Sequence, residues 1–296
     1  MESARLVLHV GAHKTGSSLI QKFLRDRPRE LRAHRIGYLS RQDLDPLVSR
    51  GSLERNDWSG LTSAVDAAVA AGGTDVVIAS HEGTMGPAFP RRDPSLYSRS
   101  AGLAPRLAEA LGSHRPTVVV TLRPQADFVE SYYLQSIHTG RHDSFTSWLS
   151  GLDLDRLSWR PLVDDLTAAF GADRVHVLDF RTIRDGQEAF VRRFLALAAP
   201  GRDVPVSYPA VRNASISGKG LELALAVNPL LTTHDERRSM RRFLQKHFSN
   251  RDFARPTLLG DELRAQLENR YAAEYDELVA GQTPNSTPWA SGSSVE

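Results

Sequence analysis

Residues 6 to 21, LVLHVGAHKTGSSLIQ, decide how this chain is read. An apolar run, Leu6 to Val10, reaches Gly11. A short loop follows: Gly11, Ala12, His13, Lys14, Thr15, Gly16, Ser17 and Ser18. From Ser17 to Leu24 the pattern becomes that of a helix start. A strand, a glycine-framed turn and a helix N-terminus in that order aim several backbone N–H groups, and the positive end of a helix, at one spot. Such a spot is an anion site, most often for phosphate. Glycines let the backbone curl and approach the anion closely.

The place of the lysine narrows the reading. A nucleotide triphosphatase loop runs GxxxxGK and then Ser or Thr. Gly11 and Gly16 have that spacing, but Ser17 stands where the lysine belongs. The lysine comes two residues before the second glycine, at Lys14. A second segment, TVVVTLRPQADFVESYYLQSI over 117–137, repeats the pattern of a buried strand leading to a helix. Arg123 stands at the C-terminal end of that strand, Pro124 can open the helix, and Ser131 falls in its second turn. A guanidinium fork and a hydroxyl suit a phosphate dianion.

The loop GxxKTGSS, together with Arg123 and a serine eight residues later, resembles sulfotransferases that use 3′-phosphoadenosine 5′-phosphosulfate (PAPS). The resemblance runs through about the first 220 residues. It implies an α/β fold, an open parallel β-sheet with helices on both faces, P-loop-like and of sulfotransferase type. It also implies that the amides of Thr15, Gly16, Ser17 and Ser18 hold the 5′-phosphate, helped by the hydroxyls. By the same resemblance Lys14 neutralises the bridging oxygen and the sulfonate, Arg123 and Ser131 hold the 3′-phosphate, and no metal is needed. The loop after the second long strand supplies the base in such enzymes, and here it reads His81-Glu82-Gly83. Glu82 is the favoured base, His81 the second, and His13 a third that packs over the nucleotide or faces solvent. His9, inside the strand, reads as a core histidine bonded to a backbone carbonyl. Residues 211–220, VRNASISGKG, resemble a further nucleotide contact, giving Ser215 and Lys219, with Asn213 and Ser215 forming an Asn-x-Ser pattern. No arginine directly precedes Lys219, as it does in the cytosolic enzymes.

The rest of the chain agrees with this architecture. Leu6–Val10, Val76–Ala79, Val118–Leu122 and Val175–Leu178 read as buried parallel strands. Helical patterns at Ser18–Arg25, Gly60–Ala71, Ala101–Leu111, Gln125–His138 and Pro161–Phe170 alternate with them, the signature of βαβ units. In such sheets ligands sit at the C-terminal strand ends, where Lys14, His81, Glu82 and Arg123 all fall. Residues 187–199, 235–248 and 260–280 read as amphipathic helices. The stretch 29–58 has weak periodicity, and 83–100, with Pro87, Pro90 and Pro94, reads as a long loop of lid or acceptor-wall type. The expected organisation is one domain over 1–281 and a disordered Ser/Gly/Pro/Thr-rich tail over 282–296.

With 296 residues, 41% hydrophobic and 24% charged, the chain has ample material for a core. The net charge of +2, without interleaved basic and aromatic runs, gives no support for nucleic acid as a partner. The absence of cysteine excludes disulfides, thiolate metal sites and cysteine nucleophiles. With no signal-like start and no apolar span, the chain reads as cytoplasmic and without a membrane partner. The acceptor implied is a hydroxyl of a small molecule, a glycan or a secondary metabolite; the co-product is adenosine 3′,5′-bisphosphate. The alternatives are an ATP-dependent small-molecule kinase with an atypical loop and a non-catalytic nucleotide-binding module. Asp179, after the fourth strand, resembles a kinase's metal-holding aspartate only superficially, since chains of the sulfotransferase type commonly carry an acidic residue there too.

Overall fold

The computed structural model describes residues 4–207 and 215–281. Asn213 and the expected tail over 282–296 lie outside them. The strands are β1 (Arg5–His9), β2 (Ile36–Leu39), β3 (Val76–Ser80), β4 (Thr117–Leu122) and β5 (Val175–Asp179). The helices are α1 (Ser17–Asp26), α2 (Pro28–Ala33), α3 (Arg41–Leu44), α4 (Arg50–Arg55), α5 (Ser59–Ala70), α6 (Ser100–Ala110) and α7 (Gln125–Ile137). There follow α8 (Phe145–Leu149), α9 (Arg160–Phe170), α10 (Gln187–Ala198), α11 (Gly218–Val227), α12 (His234–His247) and α13 (Asp261–Ala280).

The five strands form one all-parallel sheet in the order β2-β3-β1-β4-β5. The fold is therefore α/β, as expected. Strand periodicity explains the apolar run in β1 and just beyond it. Leu6, Leu8 and Val10 point to one face and pack with α5, α6 and α9. Val7 points to the other and packs with α1, α2 and α10. A strand covered on both faces has no solvent side on which to place polar residues. β1 lies between β3 and β4, and the chain crosses it from one to the other. The switch point of the sheet thus brings together the loops that follow β1, β3 and β4. A third cluster, from α7, α8, α11, α12 and α13, packs around α7, whose first residues follow β4. Tyr275 of α13 ties this layer to the sheet, its hydroxyl sitting between the Leu122 carbonyl and the Asp179 carboxylate, 2.8 Å from each, with one proton to share.

Two segments differ from the sequence reading. The weakly periodic stretch 29–58 contains a strand and three short helices. Its strand, β2, is a four-residue edge with only Ile36 buried, too short for a two-residue period to show. The 83–100 segment is no open lid. Met85, Ala88, Leu96 and Tyr97 are buried in the core, and Tyr97 N–H donates to the Ala88 carbonyl (2.8 Å).

Candidate active site

The loop after β1 is closed from within. Thr15 and Ser17 hydroxyls both donate to the Ala12 carbonyl, at 2.7 and 3.3 Å. Thr15 and Ser17 are buried, so of the three hydroxyls only that of exposed Ser18 remains free to help an anion. Gly16 is the N-cap of α1 with φ 87°, a left-handed conformation that disfavours a side chain, and a Cβ there would lie 2.9 Å from the Phe190 ring. Lys14 also has a positive φ, 60°. The backbone N–H groups of Lys14, Thr15, Gly16, Ser17 and Ser18 find no acceptor among the described residues. α1 carries no acid in its first turn. These N–H groups and the helix dipole together form an anion cradle.

Cations face the cradle. Lys14 Nζ donates to Gln135 Oε1 of α7 (3.3 Å). Burial, with Arg123 and Arg241 adding repulsion, lowers the Lys14 ammonium to a pKa of about 8, against a smaller opposing pull from Glu82. Arg123 Nη1 donates to the Lys14 carbonyl (3.1 Å), and its guanidinium lies over the Phe180 ring (4.9 Å). Its Nε is buried with no hydrogen-bond partner. Burial is the main cause that brings Arg123 down to about 10, with Arg255 adding to it. Trp159 Nε1 donates to the Arg123 carbonyl (2.8 Å) and fixes the end of β4. On α7, Asp127, Ser131 and Gln135 recur one helical turn apart, so Ser131 shares a face with the partner of Lys14. Asp127 and Glu130 are both engaged by Arg264 of α13, at 3.0 and 2.6 Å. Both acids also support the charged form of Arg123, Asp127 by more than Arg255 opposes it.

Glu82 backs directly onto the loop: a Cβ on Gly11 would come within 3.1 Å of it. Its carboxylate pairs with Arg41 of α3 and accepts from Gln21 Nε2 of α1 (2.9 Å). Burial pushes this carboxyl up, but Arg41, the Gln21 hydrogen bond, its own backbone N–H and His13 together outweigh it and hold the pKa below the ordinary carboxylate value. Glu82 is thus ionised at neutral pH. His81, next to it, turns the other way. Its Nδ1 accepts the Gly83 N–H (3.0 Å), so Nε2 carries the proton and donates to Asp45 (3.0 Å). Both ring nitrogens are engaged within the protein.

His13 binds Tyr97 twice. The Tyr97 hydroxyl accepts the His13 N–H (2.8 Å) and donates to Nδ1 (2.6 Å). Burial first, with Arg41, Lys14 and His81 adding to it, lowers this imidazole to about 4, so it is neutral. His9 is a core histidine, but its partners are hydroxyls, Ser80 Oγ at 2.8 Å and Thr121 Oγ1 at 3.5 Å, rather than a carbonyl. The Asp179 carboxylate accepts from Arg181 N–H (2.8 Å) and from the Tyr275 hydroxyl (2.8 Å), so it is engaged as a turn and tie residue. Among the described residues no cluster of three or more His, Cys, Asp or Glu is arranged to hold a metal. No helix among them is long and apolar enough to cross a membrane.

Ser215 and Lys219 are held by contacts outside the loop. Ser215 is held through its backbone by Asn250, and Lys219 Nζ lies over the Phe253 ring (4.9 Å) at the start of α11. Neither makes a hydrogen bond or ion pair with Arg123, Ser131 or the loop among the described residues. Gln21, Arg41, Gln135, Arg241 and Arg255 were not singled out from the sequence. The only available signal was Gln21 and Gln135 at helical spacing from the motifs; Arg41 reaches Glu82 through tertiary packing, while Arg241 and Arg255 act on Lys14 and Arg123 through their charge.

No family model matches the chain, and no curated protein matches it. Among solved structures, the crystal structure of a sulfotransferase from Alicyclobacillus acidocaldarius is similar, with a TM-score of 0.48 and 15% identity, covering 80% of this chain and 100% of that one.

Proposed function

We propose that this chain is a PAPS-dependent sulfotransferase acting on a hydroxyl of a small molecule, glycan or secondary metabolite. The observation that carries this reading is the anion cradle: consecutive free N–H groups from Lys14 to Ser18, with desolvated Lys14 and Arg123 beside them. A lysine before the second glycine, rather than after it, suits charge that builds on a leaving bridging oxygen. In the transfer, the bond from sulfur to that bridging oxygen breaks and a bond from sulfur to the acceptor oxygen forms. Lys14 meets the charge on the leaving oxygen, and the cradle holds the 5′-phosphate. The acceptor proton goes to Glu82, whose oxygens keep a further lone pair beside those given to Arg41 and Gln21. Arg123 and Ser131 hold the 3′-phosphate.

Calorimetric titration with adenosine 3′,5′-bisphosphate, AMP and magnesium ATP tests the reading. Marked preference for the bisphosphate is expected. Preference for magnesium ATP would overturn it in favour of phosphoryl transfer.

A further inference from the structure

We propose that His13 donates a hydrogen bond from Nε2 to a peripheral oxygen of the sulfuryl group, and that Tyr97 is the positioning residue that makes it a donor. The inference rests on the nucleotide reading above. His13 stands between Ala12 and Lys14, so its ring leaves the backbone at the cradle. Tyr97 comes from the segment before α6, eighty-four positions away. Its hydroxyl accepts the His13 N–H (2.8 Å) and lies 2.6 Å from Nδ1. That hydroxyl is buried and has no further partner among the described residues. Were Nδ1 the donor, the phenolic proton would have no acceptor in the interior, which is costly. The phenolic proton therefore goes to Nδ1, and the neutral ring carries its own on Nε2.

The surroundings hold this pair in place. Tyr97 has φ 51°, a left-handed conformation rare for an aromatic residue. Such a backbone persists only where its neighbours fix it, and it gathers at functional sites. The Tyr97 N–H is tied to the Ala88 carbonyl (2.8 Å), and its ring packs on Trp159 with centroids 5.9 Å apart. Tyr132 meets the His13 ring edge to face, with centroids 6.1 Å apart. His13 Nε2 makes no hydrogen bond among the described residues and is not one of their buried, partnerless atoms, so it can be reached from outside.

Two charged groups flank the ring. Lys14 follows it in the chain, and Glu82 lies against Gly11 of the same loop. In the proposed transfer Lys14 meets the bridging oxygen and Glu82 takes the acceptor proton. The peripheral sulfuryl oxygens lie between those two points, and they are acceptors only. A neutral Nε2–H suits them. An imidazolium there would pair with the Glu82 carboxylate and take the base out of use. No proton changes hands at His13; its hydrogen bond orients the sulfuryl group toward the acceptor.

Calorimetry on the full chain without acceptor, with PAPS and adenosine 3′,5′-bisphosphate as probes, tests this. His13→Leu should weaken PAPS by about three- to tenfold and leave the bisphosphate unchanged, since only PAPS carries the sulfuryl group. His13→Gln sets an amide N–H near the place of Nε2 and should recover part of the loss. Tyr97→Phe keeps the ring but frees Nδ1. Nitrogen NMR of the His13 imidazole should show Nδ1 bare in the wild type and a mixture of tautomers in this variant, with PAPS affinity reduced. If His13→Leu keeps both affinities, or weakens both equally, the donor role is wrong. A proton on Nδ1 in the wild type would overturn the assignment as well. If the wild type does not prefer the bisphosphate to AMP, the nucleotide reading falls and this inference with it. Should the variants fail to fold, the wild type decides: its Nε2 proton should shift with PAPS beyond any shift given by the bisphosphate, and equal shifts would refute the contact.

Discussion

Lys14 enters the site as a cation that the fold has made reluctant to stay charged. Its pKa of about 8 in the free protein predicts a pH dependence of binding. A bound phosphate favours the ammonium and raises that pKa. Above pH 8 the free protein must therefore take up a proton to bind. Affinity for adenosine 3′,5′-bisphosphate should fall as pH rises through 8, by up to about tenfold per unit, while the phosphates remain dianions throughout. Calorimetry in buffers of different ionisation enthalpy reads the proton uptake directly. A flat profile would place the charge elsewhere. Lys14→Ala should abolish the slope and weaken binding. Glu82→Gln should keep both binding and slope but lower turnover once an acceptor is found. At this scale much was legible. Lys14, Arg123 and Glu82 stand at strand ends, and a sequence shows where a buried strand stops. The orientation of His81 was not legible, because it depends on which way one turn folds after β3 and on Asp45, thirty-six positions away.

Elements set the geometry that residues use. The long buried strands and most helices were readable from apolar runs and helical spacing, since both patterns are repeated over several residues. β2 was not, because a half-buried four-residue edge repeats nothing. α11 starts at Gly218, where Ser217 caps it by accepting the Gly220 N–H (3.1 Å). The junction of β1 and α1 gives a prediction of its own. Gly16→Ala would combine a left-handed backbone with a methyl 2.9 Å from Phe190. A cost of about 1–3 kcal/mol is expected. Chemical denaturation measures it, and a change within error would mean that Phe190 yields freely. Because Gly16 caps α1, the same variant should lose phosphate affinity along with stability.

The molecule as a whole holds several histidines that burial keeps neutral. His9, His13 and His138 are each pulled down to about 4, burial being the first cause in every case. The unfolded chain protonates these rings near 6.5, the ordinary value. Between 6.5 and 4 the unfolded state therefore binds more protons, and stability must fall as pH falls through that window. Thermal unfolding from pH 7 to pH 4 should show a steady loss of Tm across it. A Tm that holds level to pH 4 would mean that these rings are charged in the native state.

Gly11 carries a consequence for inheritance. A side chain on it would crowd Glu82 at 3.1 Å, so the phosphate loop and the proposed base share a van der Waals boundary. Neither can be transplanted alone. A scaffold that receives GAHKTGSS without a fitting β3 turn receives a binder with no proton acceptor beside it. The two halves of the chemistry, about seventy residues apart in the chain, must therefore be passed on as one heritable unit.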